Sequence, residues 1–162
     1  MAARRQPKLL DAGAPVPDVG AKLLSGGETT LREIAARGPA LVAFFKISCP
    51  VCQLTFPFLE RLHAAGGLAV YGISQNDARD TREFNEDFGI TFPILLDDED
   101  AGFPASDAFG ISSVPTLFLV ERDGSISHVV EGWRKKEMEW LGAKASATVF
   151  RQGDNVPEWK AG

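Results

Sequence analysis

Apolar residues along this chain fall alternately into short unbroken runs and helical periods. The run Ala40-Leu-Val-Ala-Phe-Phe45 is apolar throughout and brief, the pattern of a strand covered on both faces. Leu54, Phe58, Leu59 and Leu62 then recur at helical spacing. Pro57 among them is expected to kink this helix rather than abolish it, and Gly66-Gly67 to stop it. Residues 68–74 predict a second buried strand. Asp77 then caps a helix running through Phe88, with Thr81, Phe84 and Phe88 on its inner face. A short strand over 92–96 and a short helix over 104–109 follow. Residues 116–120 and 125–131 predict two more strands, joined by the hairpin signal Glu121-Arg-Asp-Gly124. A last helix is expected over 134–147, with Met138, Leu141 and Ala145 facing inward. Strands alternating with helices predict a largely parallel sheet covered by helices.

The ends read differently. Residues 1–18 predict an extended arm, because Pro7, Pro15 and Pro17 prevent regular helix. Ser25-Gly26-Gly27 marks a turn, and Thr30 with Glu33 has capping-box spacing ahead of a short helix ending at Gly38. Residues 151–162 are polar and read as a loosely held tail. At 162 residues the chain suits one domain, with its core over about 14–146.

Composition narrows the class of partner. An apolar fraction of 44% fills a core and a charged fraction of 24% keeps the surface wet. A net charge of −5 repels phosphate backbones, and the cluster Arg134, Lys135, Lys136 reads as a solvated helix start, so no nucleic-acid partner is expected. The basic start, with Arg4 and Arg5, is followed by Leu9-Leu10-Asp11 and then Gly and Pro. A secretion signal needs about 7–15 apolar residues there, and a membrane helix about 20. The expectation is therefore a cytoplasmic chain with no membrane partner.

Chemistry concentrates in the two cysteines, in the run Ser48-Cys49-Pro50-Val51-Cys52. A bridge between them closes almost no loop, so it adds little as a structural staple, and reversible chemistry explains the pair better. Zinc is not expected: four-ligand sites need two more Cys or His, and His63 and His128 are far apart in sequence. No metal or other cofactor is expected. The pair sits where a strand meets a helix, and a helix N-terminus offers free N–H groups that favour a thiolate. Cys49, at the very start, is expected to attack, and Cys52, one turn inside and more buried, to resolve the mixed disulfide. Pro50 suits the first helical turn, where its missing N–H costs nothing.

With those residues in place, the chain resembles the thioredoxin superfamily, in particular its redoxin or AhpC/TSA branch, over about residues 14–146. Cys49-Pro50-Val51-Cys52 resembles the family's active site, Pro57 its helix proline, and Ser113-Val114-Pro115-Thr116 its cis-proline loop. Gly132 and Trp133 before the last helix are also similar to that branch. The resemblance implies a three-layer α/β/α fold around a central mixed sheet. It also implies that Val114, Pro115, Pro50 and Val51 meet the substrate, with the backbone of Val114 pairing to an extended one. The implied partners are a protein or small-molecule disulfide and a thiol electron donor.

The chain departs from thioredoxins in detail. Ala43 and Thr55 stand where relatives carry an acid, leaving no evident carboxylate to deprotonate Cys52, and Ser48 replaces a Trp. Lys46 stands close enough to favour a thiolate, but also reads as a solvated strand end. A peroxiredoxin is the chief rival reading. That pattern wants Pro and Thr or Ser seven and three residues before the reactive cysteine. Counted from Cys52 those positions hold Phe45 and Cys49, and Pro115 stands where its Arg would be. A metal-delivery protein of the same fold is a second rival, although its relatives place three residues between their cysteines. The remaining aromatics, Trp133, Trp140 and Trp159, read as packing or interface residues.

Overall fold

A computed structural model describes residues 8–162. The basic start, Arg4-Arg5 and Pro7 lie outside them. Seven strands form one sheet: β1 (Gly20–Leu23), β2 (Glu28–Thr30), β3 (Ala40–Phe45), β4 (Ala69–Ser74), β5 (Ile94–Leu96), β6 (Thr116–Val120) and β7 (Ile126–Glu131). Their order across it is β2-β1-β5-β4-β3-β6-β7. β3, β4 and β5 run parallel, whereas β6, β7 and the β1–β2 hairpin are antiparallel additions at the two sides. The helices are α1 (Leu31–Ala36), α2 (Pro50–Ala65), α3 (Ala78–Phe88), α4 (Pro104–Phe109) and α5 (Lys135–Lys144). Among the described residues no helix is long and apolar enough to cross a membrane.

Two adjacent residues of β3 show how the layers arise, because successive strand side chains point to opposite faces. The Phe45 ring lies 4.2 Å from Phe56 of α2 and 5.1 Å from Phe84 of α3. The Phe44 ring lies 5.0 Å from Phe109 of α4 and 5.8 Å from Phe118 of β6. Helices thus cover both faces of a strand that is buried at every position. All six rings are essentially inaccessible to water. Such burial is worth about 1.5–3 kcal/mol per side chain.

Helix ends follow local chemistry. The Thr30 hydroxyl accepts the Glu33 N–H at the start of α1, and the Asp77 carboxylate accepts the Asp80 N–H at the start of α3. Gly66 stops α2 in the left-handed conformation that glycine takes without a Cβ penalty. Pro57 lies within α2 without ending it.

The structure adds to these expectations and corrects one of them. The expected turn at Ser25-Gly26-Gly27 is the tip of the β1–β2 hairpin, whose strands are too short to show an alternating pattern. His63 and His128 are half-buried. His128 contacts Glu137 at 2.7 Å and stacks on Trp140 at 4.4 Å. The tail, expected to be loosely held, is docked on the core and held most firmly at its root. Arg61 of α2 donates to both carboxylate oxygens of Asp154 and to the Val149 carbonyl. Further on, β8 (Trp133–Arg134) pairs with β9 (Trp159–Lys160). Backbone pairing and a charged clamp replace the apolar periodicity that a sequence pattern needs.

Candidate active site

The strand–helix junction places the cysteines. After β3 the chain turns through residues 46–48, and this turn is latched from both sides. The Ile47 N–H donates to the Asn76 side chain at 3.0 Å, and the Gln53 side chain donates to the Ile47 carbonyl at 2.9 Å. Neither Asn76 nor Gln53 carries a sequence signal for this role, because each contact depends on the fold.

Cys49 is the N-cap of α2, with extended backbone, and Pro50 follows in the first turn. The Cys49 sulfur accepts the Cys52 N–H at 3.2 Å. Negative charge on that sulfur, as it attacks or leaves, therefore meets an oriented amide at the positive end of the helix. The same sulfur lies 3.4 Å from the Val114 carbonyl oxygen, to which the thiol donates. Both cysteines are free thiols; Cys49 is half-buried and Cys52 fully buried.

Burial pushes the Cys52 thiol well above the usual thiol range, and its hydrogen bond with Cys49 acts in the same direction. The Lys46 backbone and the Lys46 charge pull the other way with smaller effect. Thr55 offers no base: it is buried, and its hydroxyl donates to the Val51 carbonyl at 2.7 Å. Burial thus favours the neutral Cys52 thiol.

The structure brings Cys49, Cys52 and Val114 together. The Val114–Pro115 peptide is cis, and the Pro115 carbonyl accepts the Gly132 N–H at 2.8 Å, joining this loop to the start of β8. Pro115 is itself buried, Pro50 is exposed and Val51 half-buried. A cavity of about 920 Å³, lined by Gln75, Asn76, Asp97 and Asp98 among others, contains neither cysteine. Cys49 is half-buried and lies outside this cavity.

A family model described as the AhpC/TSA family matches residues 12–129, well over half of the chain. The chain belongs to the AhpC/TSA family. Among similar relatives of this family member is the thioredoxin-like protein YneN of Bacillus subtilis, 30% identical, the match covering 80% of this chain and 78% of that one. The thiol:disulfide interchange protein DsbE of Pseudomonas aeruginosa is also 30% identical, with 76% and 72% covered. The thiol-disulfide oxidoreductase ResA of Geobacillus thermodenitrificans is 26% identical, with 77% and 72% covered. Among solved structures, the thioredoxin domain of a thiol-disulfide oxidoreductase from Bacteroides vulgatus superposes with a TM-score of 0.73. It is 22% identical and covers 83% of this chain and 97% of that one. This AhpC/TSA member therefore has the thioredoxin-like fold, with a mixed central sheet flanked by helices.

Proposed function

We propose that this chain is an enzyme, a thiol-disulfide oxidoreductase that cycles Cys49 and Cys52 between dithiol and disulfide. The carrying observation is the Cys49 sulfur at the helix start, bonded to the Cys52 N–H and in contact with the Val114 carbonyl. Relatives named for the same exchange, ResA and DsbE, support the reading.

In the reducing direction the Cys49 thiolate attacks a partner disulfide, forming a mixed disulfide and releasing one partner thiolate. Cys52 then loses its proton to water and attacks the Cys49 sulfur. The mixed disulfide breaks, the second partner thiolate leaves, and the partner has gained two electrons. Protein and small-molecule disulfides are the proposed partners, with a thiol donor to restore the reduced state. The cytoplasm is the proposed compartment, and recovery of the protein from an exported or membrane fraction of its cells would overturn that.

The experiment compares insulin-disulfide reduction with hydrogen peroxide consumption by the same reduced protein. Rapid insulin reduction with slow peroxide turnover is expected. Fast peroxide turnover with negligible insulin reduction would favour the peroxidase reading instead. Tight Cu(I) binding that blocks exchange would favour metal delivery.

A further inference from the structure

The segment beyond the Arg61–Asp154 clamp returns to the reactive cysteine. Two hydrogen bonds and a short strand pairing guide it. The Trp133 indole N–H donates to the Pro157 carbonyl at 2.6 Å, the Lys135 N–H donates to the Glu158 carbonyl at 3.0 Å, and Trp133 and Arg134 pair with Lys160 and Trp159. The chain then crosses Gly132. A Cβ there would come within 2.5 Å of the Lys160 carbonyl oxygen and 3.1 Å of the Gly162 nitrogen, and Gly132 has φ +71°, so glycine serves both close approach and backbone conformation.

Gly162 lies against the cis-proline loop. A Cβ on it would collide with the Val114 carbonyl oxygen and lie 3.3 Å from the Pro115 nitrogen. That carbonyl is the one the Cys49 sulfur touches. Residues 159–162 thus lie along the backbone edge beside the nucleophile, where an extended partner would add its own strand.

The attachment is uneven. Its root is held by a bidentate guanidinium–carboxylate pair and by Phe150, whose ring stands 5.1 Å from Phe58. Its tip has a two-residue strand and exposed side chains, with Trp159 55% accessible. Such a tip detaches without unfolding the core.

We propose that residues 159–162 are a substrate-selecting gate: docked, they admit small disulfides to Cys49 and exclude extended polypeptides, which must displace them to pair with Val114. This rests on the oxidoreductase reading. A small disulfide needs only the sulfur. A polypeptide needs the edge as well, and its apparent affinity falls by the fraction of molecules with the edge free.

The test measures rates with insulin and with hydroxyethyl disulfide for the full chain, a chain ending at Glu158, and Gly162→Val. With the edge free in about a tenth of molecules, both variants should reduce insulin about ten-fold faster, and hydroxyethyl disulfide within about two-fold of the full chain. Thermal melts establish folding. Should the shortened chain fail to fold, Gly162→Val decides, since its side chain meets the Val114 carbonyl and expels the tip. An unchanged or lower insulin-to-small-disulfide ratio overturns the gate. Loss of exchange with both disulfides in the full chain, matched by Cys49→Ser, overturns the oxidoreductase reading instead.

Discussion

Two parts of the molecule converge on Val114 and are held there by different physics. The β3–α2 junction reaches it from a fully buried strand, through Phe44 and Phe45 packed on opposite faces. Residues 146–162 reach it over the surface, through a guanidinium clamp, one indole N–H and a two-residue strand. The junction is costly to disturb and keeps Cys49 at a fixed point. The segment is cheap to move, which suits a part that has to yield to a partner.

Substitutions ought to separate the two by size of effect. Phe45→Ala removes a ring packed against Phe56 and Phe84 and should cost about 3–5 kcal/mol in chemical denaturation. A loss below about 1 kcal/mol would mean that the junction is no stiffer than the tail.

Alkaline pH tests the inner cysteine of the junction. Folding raises the Cys52 thiol, so the folded chain keeps a proton that the unfolded chain loses above about pH 8.5. Stability of the reduced protein is therefore full below that pH. Above it, stability should fall by up to about 1.4 kcal/mol per pH unit. Cys52→Ser should flatten this dependence, and an equal slope in both proteins would contradict the burial of Cys52 as its cause.

Trp133→Phe leaves the indole's place filled by a smaller ring and orphans the Pro157 carbonyl. A loss of about 1–2 kcal/mol is expected, with faster hydrogen exchange at residues 158–162 and little change in β3. Uniform loss of protection across the sheet would show that the segment is part of the core.

The smallest effect is at acid pH. The Arg61 guanidinium, then the Arg151 N–H, hold the Asp154 carboxyl below its ordinary value. The clamp is thus intact above the ordinary carboxylate range and loosens as pH falls through the lowered value. Hydrogen exchange at residues 150–156 should quicken there, and Asp154→Asn should remove the dependence.

The same contrast explains what could be read from the chain beforehand. β3, β4, β6, β7 and all five helices announce themselves through apolar runs, helical spacing, caps such as Asp77, and the Asp123-Gly124 turn. These signals lie within a few residues of what they specify. Cys49 at the start of α2 is legible for that reason. Asn76 latching Ile47, Arg61 clamping Asp154 and Gly162 meeting Val114 join positions 29, 93 and 48 residues apart, and polar or glycine residues mark no period. The β1–β2 hairpin was hidden by brevity: three or four half-exposed residues carry too little alternation to stand out.

The division of labour between the two cysteines is tested most directly by mass spectrometry of Cys49→Ser and Cys52→Ser after each has met a disulfide or peroxide. Cys52→Ser should accumulate a mixed disulfide at Cys49, because the nucleophile is intact and nothing resolves its product. Cys49→Ser should be nearly inert, its remaining thiol buried and protonated. Rapid sulfenic acid at Cys52 in Cys49→Ser, with no mixed disulfide trapped at Cys49 in the other variant, would contradict the account.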